Sequence, residues 1–191
     1  MLDGKDFKEI KRDLEENNEI SELLYRDSRD LVGLSKKIIF ALHRGKLKEA
    51  EGFVSGIEKL KKKMQATVKE NQNLRHHNSY ATAMQEYVEA ICYLTFVKNK
   101  KIPSKKQLGV ESEEYLSGLC DLSGELVRKA VDLAINGDIK SVKEIKVFVG
   151  EFYGLLLELN PYGELRKKAD QARWNLNKLE DLVYENKIRG R

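Results

Sequence analysis

A chain of 191 residues with 41% hydrophobic and 35% charged residues is too apolar for a disordered polypeptide and too evenly charged for a membrane protein. At this length roughly 70% of the unfolded chain's surface can be buried in one core. Thirty-five Lys and Arg against 31 Asp and Glu leave a formal charge of +4, a mild bias toward anionic partners and nothing more specific.

Two prolines and plentiful Lys, Glu, Leu and Ala favour long helices. Over residues 5–44, Phe7, Ile10, Leu14, Ile20, Leu23, Leu24, Leu31, Leu34, Ile38, Ile39 and Leu42 recur at helical spacing, with a break expected near Asn17-Asn18 and a stop at Gly45. The spacing predicts a second helix over residues 47–71, through Ala50, Val54, Ile57, Leu60, Met64 and Val68. A third starts near Ser79 and ends before Pro103, and its Leu94-Thr95-Phe96-Val97 end, apolar on every side, is expected to be buried. Residues 103–109 read as a connector, and 111–136 as a long helix closed by Gly137. Ser141-x-x-Glu144 reads as a capping-box start for a helix to residue 159. Asn160-Pro161 opens the last helix, with Pro in its first turn and a stripe of Leu165, Ala169, Ala172, Leu176, Leu179 and Val183. The expected product is all-α: an antiparallel bundle of six or seven helices forming one domain over residues 1–191.

Residues 1–30 hold ten acids and six bases, so positive charge concentrates downstream, in runs such as Lys59, Lys61, Lys62 and Lys63. Such runs are candidate phosphate contacts and equally ordinary solvated helix ends. Cys92 and Cys120 sit in apolar stretches without Cys-x-x-Cys spacing, which fits packing and a reduced, cytoplasmic compartment. No window approaches 18 consecutive apolar residues, and the opening Met-Leu-Asp-Gly-Lys-Asp lacks a signal-peptide core, so neither membrane spanning nor secretion is expected.

The informative chemistry is acidic. In Gln85-Glu86-Tyr87-Val88-Glu89-Ala90, helical spacing puts Met84, Tyr87, Val88, Ile91 and Thr95 on one side and Glu86 and Glu89 on the other. The acidic side runs on into Tyr93, Phe96 and Val97, so these carboxylates are expected to be partly enclosed. Asp121 and Glu125, spaced i,i+4, form a second pair, with Arg128 as the nearest counter-charge. Gly118, ahead of that pair, and Gly124, within it, cost roughly 1 kcal/mol each inside a helix, which close backbone approach would justify. Two acid pairs on largely buried helices could converge. Converging carboxylates without thiolate or imidazole favour Mg²⁺ or Mn²⁺, and such ions commonly serve phosphodiester cleavage. The structural alternative is an internal salt-bridge network of Glu86, Glu89, Asp121, Glu125 and Arg128. A di-iron bundle would need Glu-x-x-His, which is absent.

Longer segments carry a family likeness. Arg26-Asp27, Ser35-Lys36-Lys37-Ile38-Ile39-Phe40-Ala41-Leu42-His43-Arg44, the Gln85–Ala90 segment, Tyr115-Leu116-Ser117-Gly118-Leu119-Cys120-Asp121-Leu122-Ser123-Gly124-Glu125-Leu126, Asn136-Gly137-Asp138 and the closing Lys178-Leu179-Glu180 with Val183-Tyr184 together resemble the translin and translin-associated factor X family. The factor X branch is the nearer. The resemblance implies a subunit of a hollow, octamer-like shell enclosing single-stranded nucleic acid. In the factor X branch it implies a metal-dependent endoribonuclease whose catalytic acids fall on Glu86, Glu89 and Asp121, with Glu125 as a further ligand or orienting group. Translin itself lacks the Glu-x-x-Glu pair. Residues 98–110 form a shorter link than in eukaryotic factor X, which looks like a prokaryotic, archaeal-type homologue acting as a homo-oligomer.

The leading expectation is therefore a Mg²⁺- or Mn²⁺-dependent endoribonuclease acting on single-stranded RNA, with single-stranded DNA as a second candidate. Glu86, Glu89 and Asp121 hold the metal. Arg75, His76 and His77, at the entry to the catalytic helix, are the first candidates for phosphate contact, followed by Lys36, Lys37, Arg44 and Arg128. The alternatives are a non-catalytic oligomer that binds single-stranded DNA or RNA and an oligomeric scaffold without nucleic acid.

Overall fold

The computed structural model describes residues 4–189, Arg189 by its backbone alone. Among these residues the elements are α1 (Gly4–His43), α2 (Leu47–Glu70), a 3₁₀ turn (Gln72–His76), α3 (Asn78–Asn99), α4 (Lys105–Leu108), α5 (Ser112–Ile135), α6 (Ile139–Glu158) and α7 (Gly163–Arg189), with no strand. The chain is all-α, as the periodicity predicts. No helix is long and apolar enough to cross a membrane among the described residues.

Helix α3 is the axis of the bundle. It packs on α1 at one side and on α5 at the other; α2 backs α1, and α5 in turn meets α6 and α7. This central position explains why α3 is buried nearly all round, including Tyr87, Val88, Tyr93 and Phe96. Lys61 on α2, itself buried, donates to Tyr87 Oη at 2.8 Å and to the Leu108 carbonyl at 3.0 Å, and pairs with Glu58 at 2.9 Å. Tyr87 Oη in turn donates to Glu58 at 2.5 Å. Every Lys61 donor is satisfied, so the buried charge is compensated. The clamp fixes the Tyr87 face of α3 toward α2 and α4.

Gly118 sets the separation of α3 and α5. A Cβ placed there would lie 2.6 Å from Val88 Cβ and 2.7 Å from the Gln85 carbonyl oxygen, so only glycine permits the approach. At Gly124 the expected close approach is absent: a Cβ would meet only Asn175 Nδ2, at an ordinary 3.6 Å.

Several local expectations need correction. Helix α1 runs unbroken through Asn17-Asn18, because two exposed Asn residues cost only about 1 kcal/mol in total against strong helix-forming neighbours. Its residues 4–19 are all exposed, so Phe7, Ile10 and Leu14 form an apolar stripe that touches no core. Within the 103–109 connector, Ser104 and Gln107 make a reciprocal capping box that starts the short α4. Helix α6 is capped by Asp138, whose carboxylate accepts from the Ser141 backbone N–H at 3.1 Å, and begins two residues before Ser141. Pro161 lies outside α7: Asn160 (φ 47°) and Gly163 (φ 58°) turn the chain around it, because the residue before a proline is driven out of the α region. The predicted glycine stop at α5 is present, with Gly137 at φ 80° and the Asp138 N–H bonded to the Leu133 carbonyl.

A carboxylate cluster between α1, α3 and α5

Glu86 and Glu89 lie one turn apart on α3, and Asp121 and Glu125 one turn apart on α5. The Gly118 contact seats these two turns side by side. Glu89 is 8% exposed, and burial, followed by the charges of Asp121, Glu86 and Glu125, pushes its carboxyl from an ordinary 4.5 up to about 8. Glu86 is also raised, by burial first and then by Asp121 and Glu125, while Lys36 and Lys168 oppose the rise. The four acids form one electrostatic unit, and the enclosure expected from Tyr93, Phe96 and Val97 is present.

Lys36, Lys37, Ile39 and Phe40 of α1 face Glu86, Glu89, Glu125 and Arg128 across an open groove of about 550 Å³. A basic edge thus runs along an acidic floor. Arg44 lies just past the end of α1, with its guanidinium 5.3 Å from the Phe40 ring centre. The other basic candidates lie elsewhere. Arg75 and His76 line a separate cavity of about 330 Å³ with Tyr80, Glu111 and Glu114, and Arg75 pairs with Glu111. His77 lines a shallow depression with Asn18, Ser21 and Tyr25 of α1. At 1.5 Å rise per residue, His77 is about 14–18 Å along α3 from Glu86 and Glu89. The expected entry to the catalytic helix is therefore several turns from the acids.

Two residues bind the cluster directly without having stood out in the sequence. His43, whose side chain is 5% exposed, hydrogen-bonds Glu125 through Nε2, and its Nδ1 lies 3.3 Å from Tyr93 Oη. With the Tyr93 hydroxyl donating to Nδ1, the Nε2 proton points at the Glu125 carboxylate. Arg128 meets the same carboxylate more loosely, at 3.8 Å. Lys168 of α7 forms an ion pair and hydrogen bond with Asp121. The tertiary partners are closer than the predicted local one.

As they stand, no three His, Cys, Asp or Glu side chains among the described residues are grouped to hold a metal ion: Glu125 is turned to His43 and Asp121 to Lys168. The donor chemistry nevertheless fits a hard divalent cation. The donors are carboxylate oxygens, and the neighbouring acids raise the proton affinity of Glu86 and Glu89, a charge conflict that a cation relieves. Cys92 and Cys120 are buried, and burial raises both thiols to about 12, so neither offers a thiolate.

Residues 19–190 match the sequence model of the translin family. The chain belongs to the translin family. Translin-associated protein X of Rattus norvegicus is 26% identical over 227 residues, spanning 96% of this chain and 78% of that protein. The crystal structure of apo-NeC3PO superimposes with a TM-score of 0.88 at 28% identity, covering 97% of this chain and 98% of that one. The AfC3PO–duplex RNA complex gives a TM-score of 0.84 at 28% identity, covering 96% and 97%. The factor X likeness read from the motifs is borne out, and the helical architecture of the family member is shared over nearly its whole length.

Proposed function

We propose that this chain is the subunit of a homo-oligomeric endoribonuclease that cleaves single-stranded RNA with the help of Mg²⁺ or Mn²⁺. The observation that carries the reading is the groove lined by Glu86, Glu89 and Glu125 beside Lys36, Lys37 and Arg128, with the charge of Asp121 acting on both Glu86 and Glu89. Membership of the translin family and likeness to a C3PO bound to duplex RNA support RNA as the ligand class. The chemistry that a bound divalent cation would supply is activation of water and relief of charge on the phosphodiester. Glu86, Glu89 and Asp121 would supply its oxygen ligands. His43 and Arg128 hold Glu125 at the edge of the site as an orienting acid. Lys36 and Lys37 attract and position phosphates without reading bases. The exposed stripe of Phe7, Ile10 and Leu14 supports assembly, since a contiguous apolar strip on a projecting helix marks an interaction surface. An octamer-like shell is the expected assembly.

The test is cleavage of labelled single-stranded RNA, with duplex RNA and single-stranded DNA alongside, in Mg²⁺, Mn²⁺ and EDTA. Glu89→Gln and Asp121→Asn are compared with wild type at matched oligomeric state. Metal-dependent cutting of the single strand that both variants lose is expected. Salt-dependent binding without cutting would instead establish a non-catalytic nucleic-acid-binding oligomer, with the acids structural.

A further inference from the structure

Among the described residues, Lys168 is the one cation that enters the acidic cluster from outside α1, α3 and α5. It projects from α7 and bonds Asp121. Its influence extends past that partner, because its charge is also felt by Glu86 and Glu89. The pair is half-buried, with Lys168 27% and Asp121 28% exposed, so it is neither a loose surface contact nor a sealed core pair. Asp121 is also a carboxylate that the proposed site needs as a ligand. An aspartate oxygen engaged by an ammonium has that lone pair occupied, and an ammonium beside a dication is repelled by it.

We propose that Lys168 is a built-in competitor for the divalent cation: it holds Asp121 and offsets part of the cluster's negative charge when no metal is bound, and it must release Asp121 for metal to bind. Lys168 thereby sets the metal concentration at which the site fills. This inference rests on the carboxylate site proposed above. It also explains why the four acids coexist without converging, since Lys168 and His43 draw Asp121 and Glu125 apart toward α7 and α1.

The experiment measures Mn²⁺ binding to the intact oligomer, by calorimetry and by the loss of the free-Mn²⁺ paramagnetic resonance signal, at pH 8.5 and without RNA. Lys168→Met keeps the aliphatic stem and removes the charge; it should bind Mn²⁺ roughly tenfold more tightly than wild type, through loss of both the competing ion pair and the repulsion. Lys168→Arg keeps the charge and should remain within about threefold of wild type. Circular dichroism confirms folding, and Lys168→Gln replaces Lys168→Met if the latter does not fold. Unchanged or weaker binding in the neutral variant overturns the proposal. If Asp121→Asn still abolishes binding in that case, the carboxylate site survives and only the competitor role falls. If neither wild type nor Lys168→Met binds Mn²⁺, the site and the competitor role fall together.

Discussion

Glu89→Gln gives a direct physical test of the buried cluster, independent of any catalytic assay. The Glu89 carboxyl is raised from 4.5 to about 8, by burial first and then by Asp121, Glu86 and Glu125. A raised value in the folded state means that stability is fully present below pH 4.5, where the acid is protonated folded and unfolded alike. It is lost progressively as pH climbs toward 8, where the unfolded chain ionises freely and the folded chain cannot. At about 1.4 kcal/mol per pH unit the ceiling is about 5 kcal/mol. Solvent screening through the open groove reduces this to about 2–4 kcal/mol. Gln keeps the shape and hydrogen-bonding capacity of the protonated acid and carries no charge. Thermal unfolding in EDTA, at fixed protein concentration and from pH 4 to 9, should show wild type and Glu89→Gln melting together near pH 4. At pH 8.5–9 the variant should melt about 5–15 °C higher. Equal melting temperatures across the range, or a less stable variant at pH 9, would refute the coupled, buried cluster. Saturating Mg²⁺ should raise the wild-type melting temperature at pH 8.5 and leave the variant's nearly unchanged.

Gly118→Ala forces a methyl against Val88 and the Gln85 carbonyl; it should cost about 3 kcal/mol or more in urea unfolding, and metal binding should weaken as α5 moves from α3. Lys36→Ala with Lys37→Ala should lower the slope of log affinity against log salt for single-stranded RNA by about 1.4, measured by fluorescence anisotropy; Arg75→Ala, in the separate cavity, should leave it unchanged. Replacing Phe7, Ile10 and Leu14 by Ser should shift sedimentation toward smaller species while helical content stays near wild type, because these side chains are exposed in the isolated subunit. Persistence of the full oligomer would remove the stripe from the assembly surface.

The elements and the acidic face could be read from the chain because both are local. Apolar residues every three or four positions specify a helix and its buried side wherever it packs. Glu86 and Glu89 ran into Tyr93 and Phe96 on one face, which foretold their enclosure, and Gly118 stood out as costly without a close neighbour. Local signals also misled where several competed within a few residues: Asp138 outcompeted Ser141 as a cap, and Pro161 shaped a turn instead of a first helical position. The partners of the site are a different matter. His43 is 82 residues from Glu125 and Lys168 is 47 residues from Asp121, and no periodicity links positions that far apart. Helix packing alone decides which cation reaches which acid, that Arg75, His76 and His77 fall at the far end of α3, and that the first turns of α1 project with their apolar stripe bare.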